Sequence, residues 1–207
     1  MKTIPFYDSA SQIPHAIEEI KETVRYRYLI VQLVKRNITT RYKRSFLGVA
    51  WTMLNPLGTM IILTVVFSQM FGSGRSYPVY VLCGLMAWNF FSKSTVASMN
   101  SLVWGGEILK RIYLPRTSFS ISAIGTEIVN LLLSLIPLLL VMLVTGTAIP
   151  YTIIYLPISI IVLVCFSLGV ALLLSLLAVF FPDVAEMYQI ILTAWMYLTP
   201  IIYPISQ

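Results

Sequence analysis

Two ionisable side chains, Lys93 and Glu127, stand inside long apolar runs of this 207-residue chain. A charge in hydrocarbon is costly unless it faces a partner or a water-filled path, so such residues mark functional positions. At a rise of about 1.5 Å per helical residue, Lys93 lies roughly two-thirds of the way along its run. On the same rise, Glu127 lies about 15 Å into the next run. Two readings fit. The residues form an ion pair that locks two spans, or Lys93 snorkels to the membrane surface while Glu127 is protonated or turned to an aqueous path. Enzyme chemistry is not legible. The sequence has no Walker A motif, no nucleophile elbow and no carboxylate pair at a plausible spacing. His15 is alone in a polar segment, and Cys83 and Cys165 both lie in apolar runs. They read as small lipid- or helix-facing residues. Catalytic, cofactor-binding and metal-ligating residues are therefore expected to be none.

The elements that carry these residues follow from composition. The chain is 58 % hydrophobic and 11 % charged, with mean hydropathy +0.85, whereas a soluble domain has about a quarter of its residues charged. An all-α integral membrane protein is expected. A bilayer core needs roughly 20 apolar residues per helix, and five runs qualify: 46–71, 79–99, 117–144, 151–181 and from Met187 onward. Residues 1–45 form a cytosolic or interfacial segment, and 46–207 the transmembrane domain. In the first, Leu29, Ile30, Leu33, Val34 and Ile38 recur at helical spacing, with Lys35, Arg36 and Arg41 elsewhere, the pattern of a helix lying in the membrane interface. Pro56 and Pro137 are expected to kink their spans.

Orientation follows from Lys and Arg near the span ends. The first 45 residues hold nine of them, the 100–116 connection holds Lys110, Arg111 and Arg116, and the turn at 72–78 holds only Arg75. The N-terminus and the 100–116 connection are thus expected in the cytosol. Arg41, Lys43 and Arg44 pin the inner end of the first span, where cations meet anionic headgroups. The 100–116 connection is longer than a simple turn. Gly105-Gly106 is expected to break the second span, and a short amphipathic helix, stopped before Pro115, would sit between two spans, where it either transmits a push from a cytosolic partner or is an interfacial anchor with no partner.

Four stretches in order carry a family resemblance: RYKRSFLGVAWTMLNPL, GLMAWNFFSKS, EILKRIYLPR and MYLTPIIYPIS. Together they resemble the membrane subunit of ABC-2-type exporters, in the branch that exports polysaccharides and polyol phosphates for O-antigen, capsule and teichoic acid systems. The resemblance runs from about Tyr28 to Gln207. It implies a six-span bundle that forms a homodimer in the bacterial inner membrane, each copy bound to a separate ABC ATPase that carries ATP with Mg. This chain would bind no cofactor of its own, and its cargo would be a lipid-linked glycan. The interfacial helix would be about Leu29–Arg44 and the coupling helix about Leu102–Arg111. ATPase coupling would then fall to Arg41, Arg44, Glu107, Ile108, Leu109, Lys110 and Arg111.

A long sugar polymer needs weak, repeated contacts, and aromatic faces hold its C–H patches without trapping it. Tyr188 and Trp195 at i, i+7 share a helix face, and with Trp51 they are the expected channel lining. Trp and Tyr also gather at membrane interfaces, which is the plainer reading of Trp104 and Tyr113. Two features depart from the family pattern. Pro182-Asp183 stands where Arg-Asp is usual, and the family's sixth span lies beyond residue 207, so a truncated chain is expected. A drug or small hydrophobic cargo, or a membrane scaffold without transport, are the alternative functions.

Overall fold

A computed structural model describes residues 21–43, 48, 50–71, 76–109, 117–148 and 151–203. Six helices follow in order: α1 Arg27–Tyr42, α2 Ala50–Phe71, α3 Tyr77–Leu109, α4 Thr117–Thr145, α5 Leu156–Phe180 and α6 Val184–Leu198. A 3-10 turn, Tyr151–Tyr155, leads into α5. Helices are the form that apolar sequence takes in lipid, because each satisfies its own backbone groups. The result is an all-α membrane protein.

Among the described residues, three segments are long and apolar enough to cross a membrane: Ala50–Phe67, Thr117–Thr145 and Tyr151–Phe180. The other two expected spans differ from this type for separate reasons. α3 has length to spare, with 33 residues or about 50 Å, but Asn89, Lys93, Asn100 and several Ser and Thr residues interrupt its apolar run. α6 has only 15 residues, about 22 Å against a core of about 30 Å. Its end is set by Thr199, which turns extended while its N–H still donates to Trp195 O.

The expected break at Gly105-Gly106 does not occur, because α3 runs unbroken to Leu109. Each helical glycine costs about 1 kcal/mol relative to alanine, which a long, well-packed helix absorbs. Residues 102–109 therefore continue α3 and are not a separate short helix. Pro56 and Pro137 also lie within continuous helices.

α3 is the hub, packed against α2, α4, α5 and α6. Where α5 meets the bundle it presents only small buried residues, Ser167, Ala171, Ser175 and Ala178. Small residues let membrane helices approach closely, and Ser175 Oγ and Ser98 Oγ of α3 meet at 3.1 Å. α4 ends at Gly146, whose φ of +68° places it in the left-handed region that glycine adopts without strain. Thr147 N then donates to Met142 O at 3.1 Å, completing a Schellman cap. The segment after α6 folds back onto the start of α3. Tyr77 Oη donates to Ile202 O at 2.9 Å, and Tyr80 Oη sits between the carbonyls of Pro200 and Tyr203. Gly84 leaves room for Ile201, whose Cγ2 would lie 2.9 Å from a Cβ there.

Candidate functional site

Glu127 is 2 % exposed and borders three cavities. The first, about 520 Å³, lies between α2, α3 and α4 and is lined by Trp51, Asn55, Asn89, Lys93, Asn130 and Ser134 among others. The second, about 560 Å³, lies between α3 and α6, with Trp88, Lys93, Asn100, Gln189 and Tyr197 in its wall. The third, about 590 Å³, opens between α1, α3 and α4 and includes Arg36, Asn37, Ser101, Ser122 and Thr126. Glu127 thus lines three partly polar spaces in an otherwise apolar bundle.

Local helix geometry explains how the sequence builds this. Glu127, Asn130 and Ser134 fall at i, i+3 and i+7, one face of α4. Asn89 and Lys93 fall at i, i+4 on α3. Asn130 Nδ2 donates to Glu127 Oε2 at 2.9 Å, which orients the carboxylate along its own helix. Lys93 is exposed on α3 and lines the first two cavities with Glu127. The two intramembrane charges therefore share cavities, and Asn130 is one of the groups that hold the carboxylate.

α1 closes the third cavity by docking on α4. Asn37 Nδ2 donates to Thr126 Oγ1 at 3.4 Å, and Val34 Cγ2 would lie 3.1 Å from a Cβ at Gly125. The contact falls one and two residues from Glu127, so α1 is seated on a span and not only laid against lipid.

The expected channel-lining aromatics separate. Trp51 is 53 % exposed and stands in the first cavity's wall. Tyr188 does not face open space. It is 5 % exposed, and its hydroxyl donates to Thr95 Oγ1 at 2.8 Å, so it joins α6 to α3. Its polar end bonds inside the bundle because a phenol in hydrocarbon needs a partner. Trp195 packs edge-on against Phe91, with ring centroids 5.2 Å apart, and against Trp88 at 6.2 Å. Phe91 in turn stacks on Phe166 at 5.5 Å. The asparagines were the residues that sequence reasoning passed over, although amides recurring at helical spacing within apolar runs were the available signal.

The profile of the ABC-2 type transporter family matches residues 28–207, nearly the whole described bundle. The chain belongs to the ABC-2 type transporter family. It is 29 % identical over 192 residues to the O-antigen export system permease protein RfbA of Myxococcus xanthus, covering 92 % of this chain and 74 % of that protein. A protein of the same name from Klebsiella pneumoniae is 27 % identical over 177 residues, 84 % of this chain and 68 % of that one. As an ABC-2 transporter subunit, the chain is a multi-pass membrane protein. Of the positions expected to meet an ATPase, Arg41 lies in the last turn of α1, and Glu107, Ile108 and Leu109 in the last turn of α3, their backbones helical. Arg44, Lys110 and Arg111 lie outside the described residues. Pro182 and Asp183 form the turn into α6, where Pro182 O accepts from Ala185 N at 3.1 Å. A proline at a helix start gives up an N–H that would have no helical partner there.

Proposed function

We propose that this chain is the permease of an ATP-driven exporter that moves a lipid-linked polysaccharide across the bacterial inner membrane. The observation that carries the reading is the family match over 28–207 together with relatives named as O-antigen export permeases along most of their length. The polar, partly aromatic cavities around Glu127 support it, because a hydroxyl-rich cargo needs polar contacts inside a membrane and an apolar cargo does not.

On this reading the chain hydrolyses nothing itself. ATP with Mg binds a separate ABC ATPase, and two copies of the permease form the path. The N-terminus is cytosolic, as the Lys and Arg distribution implies. The ATPase meets the ends of α1 and α3. α3 is about 50 Å long and outreaches a core of about 30 Å, so a push on its cytosolic end reaches Lys93 through continuous helix. α1 carries a second push to Gly125 and Thr126, beside Glu127.

Disrupting the gene in its source cell tests the cargo. The expected result is lipid-linked polymer accumulating on the cytosolic side and lost from the surface. An unchanged surface polymer overturns the glycan assignment, and the ABC-2 fold would then serve another cargo. The coupling surface has its own test. Reversing Glu107, Lys110 and Arg111 together is expected to release the ATPase or abolish its stimulation while membrane insertion persists, and unchanged co-purification and stimulation would count against that surface.

A further inference from the structure

We infer that the cavity between α2, α3 and α4 is a binding subsite for one neutral, hydroxyl-rich sugar unit, held by Asn55, Asn89 and Glu127 against the Trp51 ring. The inference rests on the exporter reading above and names a place within each protomer where cargo is held. Asn55 and Asn89 both line the cavity, and among the described residues neither side chain has a hydrogen-bond partner. Asn55 is exposed and Asn89 half-buried, both on helices that run through lipid, where an amide without a compensating bond is costly, and two of them facing one space suit a ligand that supplies both donors and acceptors. Each carboxamide offers two donors and an acceptor oxygen, and a sugar hydroxyl is donor and acceptor at once. Glu127, held in part by Asn130, adds a carboxyl group to the same wall. Trp51 offers a flat apolar face for the ring's C–H side.

Other ligand classes fit less well. An apolar cargo leaves the amides unsatisfied. Among the described residues, no group of three or more His, Cys, Asp or Glu is placed to hold a metal ion. Lys93 and Glu127 line the same cavity, so their opposite charges offset and the wall offers an acidic sugar no net attraction to repay its desolvation. The volume of about 520 Å³ lies in the range of about 300–1,000 Å³ usual for small-molecule sites.

The test uses the chain together with its ATPase in lipid nanodiscs, with maltotriose as the neutral probe and N-acetylneuraminic acid as the acidic one, read by saturation-transfer NMR. Maltotriose is expected to receive saturation and the acid at least several-fold less. The double variant Asn55→Leu, Asn89→Leu is expected to lower the maltotriose signal at least five-fold. Trp51→Ala, at a half-exposed position, is expected to lower it as well. Thr64→Val, at the far end of the bundle, is expected to leave it unchanged. No maltotriose signal in the parent protein, an equal signal from the acid, or a signal unmoved in both the double variant and Trp51→Ala overturns the subsite. Export in cells separates the two readings. If disrupting the gene leaves surface polymer intact, the exporter reading falls. If disruption removes the polymer and the double variant restores it fully, the subsite alone falls.

Discussion

α2, α3 and α4 enclose two spaces of different chemistry. Around Glu127 the wall mixes Asn55, Asn89, Lys93, Asn130 and Ser134 with Trp51, Met86, Phe90 and Leu131. Toward the other end of the same helices, a cavity of about 370 Å³ is lined by Leu57, Met60, Ile61, Val65, Pro78, Leu140, Val141 and Val144, with Thr64 and Thr145 the polar exceptions. Asn55 and Leu57 are two residues apart, and Ser134 and Leu140 less than two turns, so the seam changes from polar to apolar over a few ångströms of rise. Packing alone does not call for that change, since the apolar end shows that these helices can associate without amides. The polar end is maintained at a cost, and cost retained in a membrane points to use.

Making the polar end resemble the apolar one is the strongest way to break the contrast. Glu127→Leu is expected to cut surface polymer at least ten-fold while the protein still inserts, because it removes the one group common to three cavities. Glu127→Gln keeps the size and part of the hydrogen bonding and is expected to fall between the variant and the parent. Quantifying surface polymer against membrane protein level checks both. Wild-type export by Glu127→Leu would remove Glu127 from the transport path.

Only the polar end has α1 packed beside it, and that contact gives the next largest effect. A side chain at Gly125 must displace Val34, whose Cγ2 would be 3.1 Å from the new Cβ. Overpacking of this kind costs about 1–3 kcal/mol. Gly125→Val is expected to loosen α1 and lower ATPase stimulation several-fold in the reconstituted complex, whereas Gly58→Ala, with nothing within 4 Å of its Cβ, is expected to be silent. Equal stimulation in both would mean that α1 transmits nothing through α4.

The sequence made the contrast only partly legible. Apolar runs located α2 to α6, since burial of backbone in lipid leaves few alternatives. Lys93 and Glu127 stood out because charge is rare there. Asn55, Asn89 and Asn130 did not, because an uncharged amide barely lowers a hydropathy average, and its meaning depends on which helix face it occupies. Tyr188 misled for a related reason. Its spacing from Trp195 gave a common face, but spacing along one helix does not say that the face is turned toward α3, where Thr95 waits. Gly105-Gly106 misled because glycine weakens a helix without ending it.

Tyr188→Phe isolates the polar contact between α3 and α6. It removes a buried donor from a 2.8 Å hydrogen bond, and Thr95 Oγ1 keeps its own bond to Phe91 O. A loss of about 1 kcal/mol is expected, read as a lower unfolding temperature in detergent. Little change in export is expected, because the side chain is buried between α6 and α3. A large export defect at unchanged stability would return Tyr188 to the path.

The smallest effect is at the apolar end. Thr64 Oγ1 is buried and makes no hydrogen bond, in a wall otherwise lined mostly by hydrocarbon. An unsatisfied buried hydroxyl costs about 1–3 kcal/mol, while valine has nearly the same shape and no polar atom. Thr64→Val is therefore expected to leave export untouched and to raise the unfolding temperature slightly, by the equivalent of about 1 kcal/mol or less. The matching change at the other end, Ser134→Ala, removes a hydroxyl already bonded to Leu131 O at 2.7 Å and is expected to have the opposite sign. If Thr64→Val destabilises the protein and Ser134→Ala does not, the two ends of the seam differ in appearance only, and the cost argument that assigns use to the polar end loses its basis.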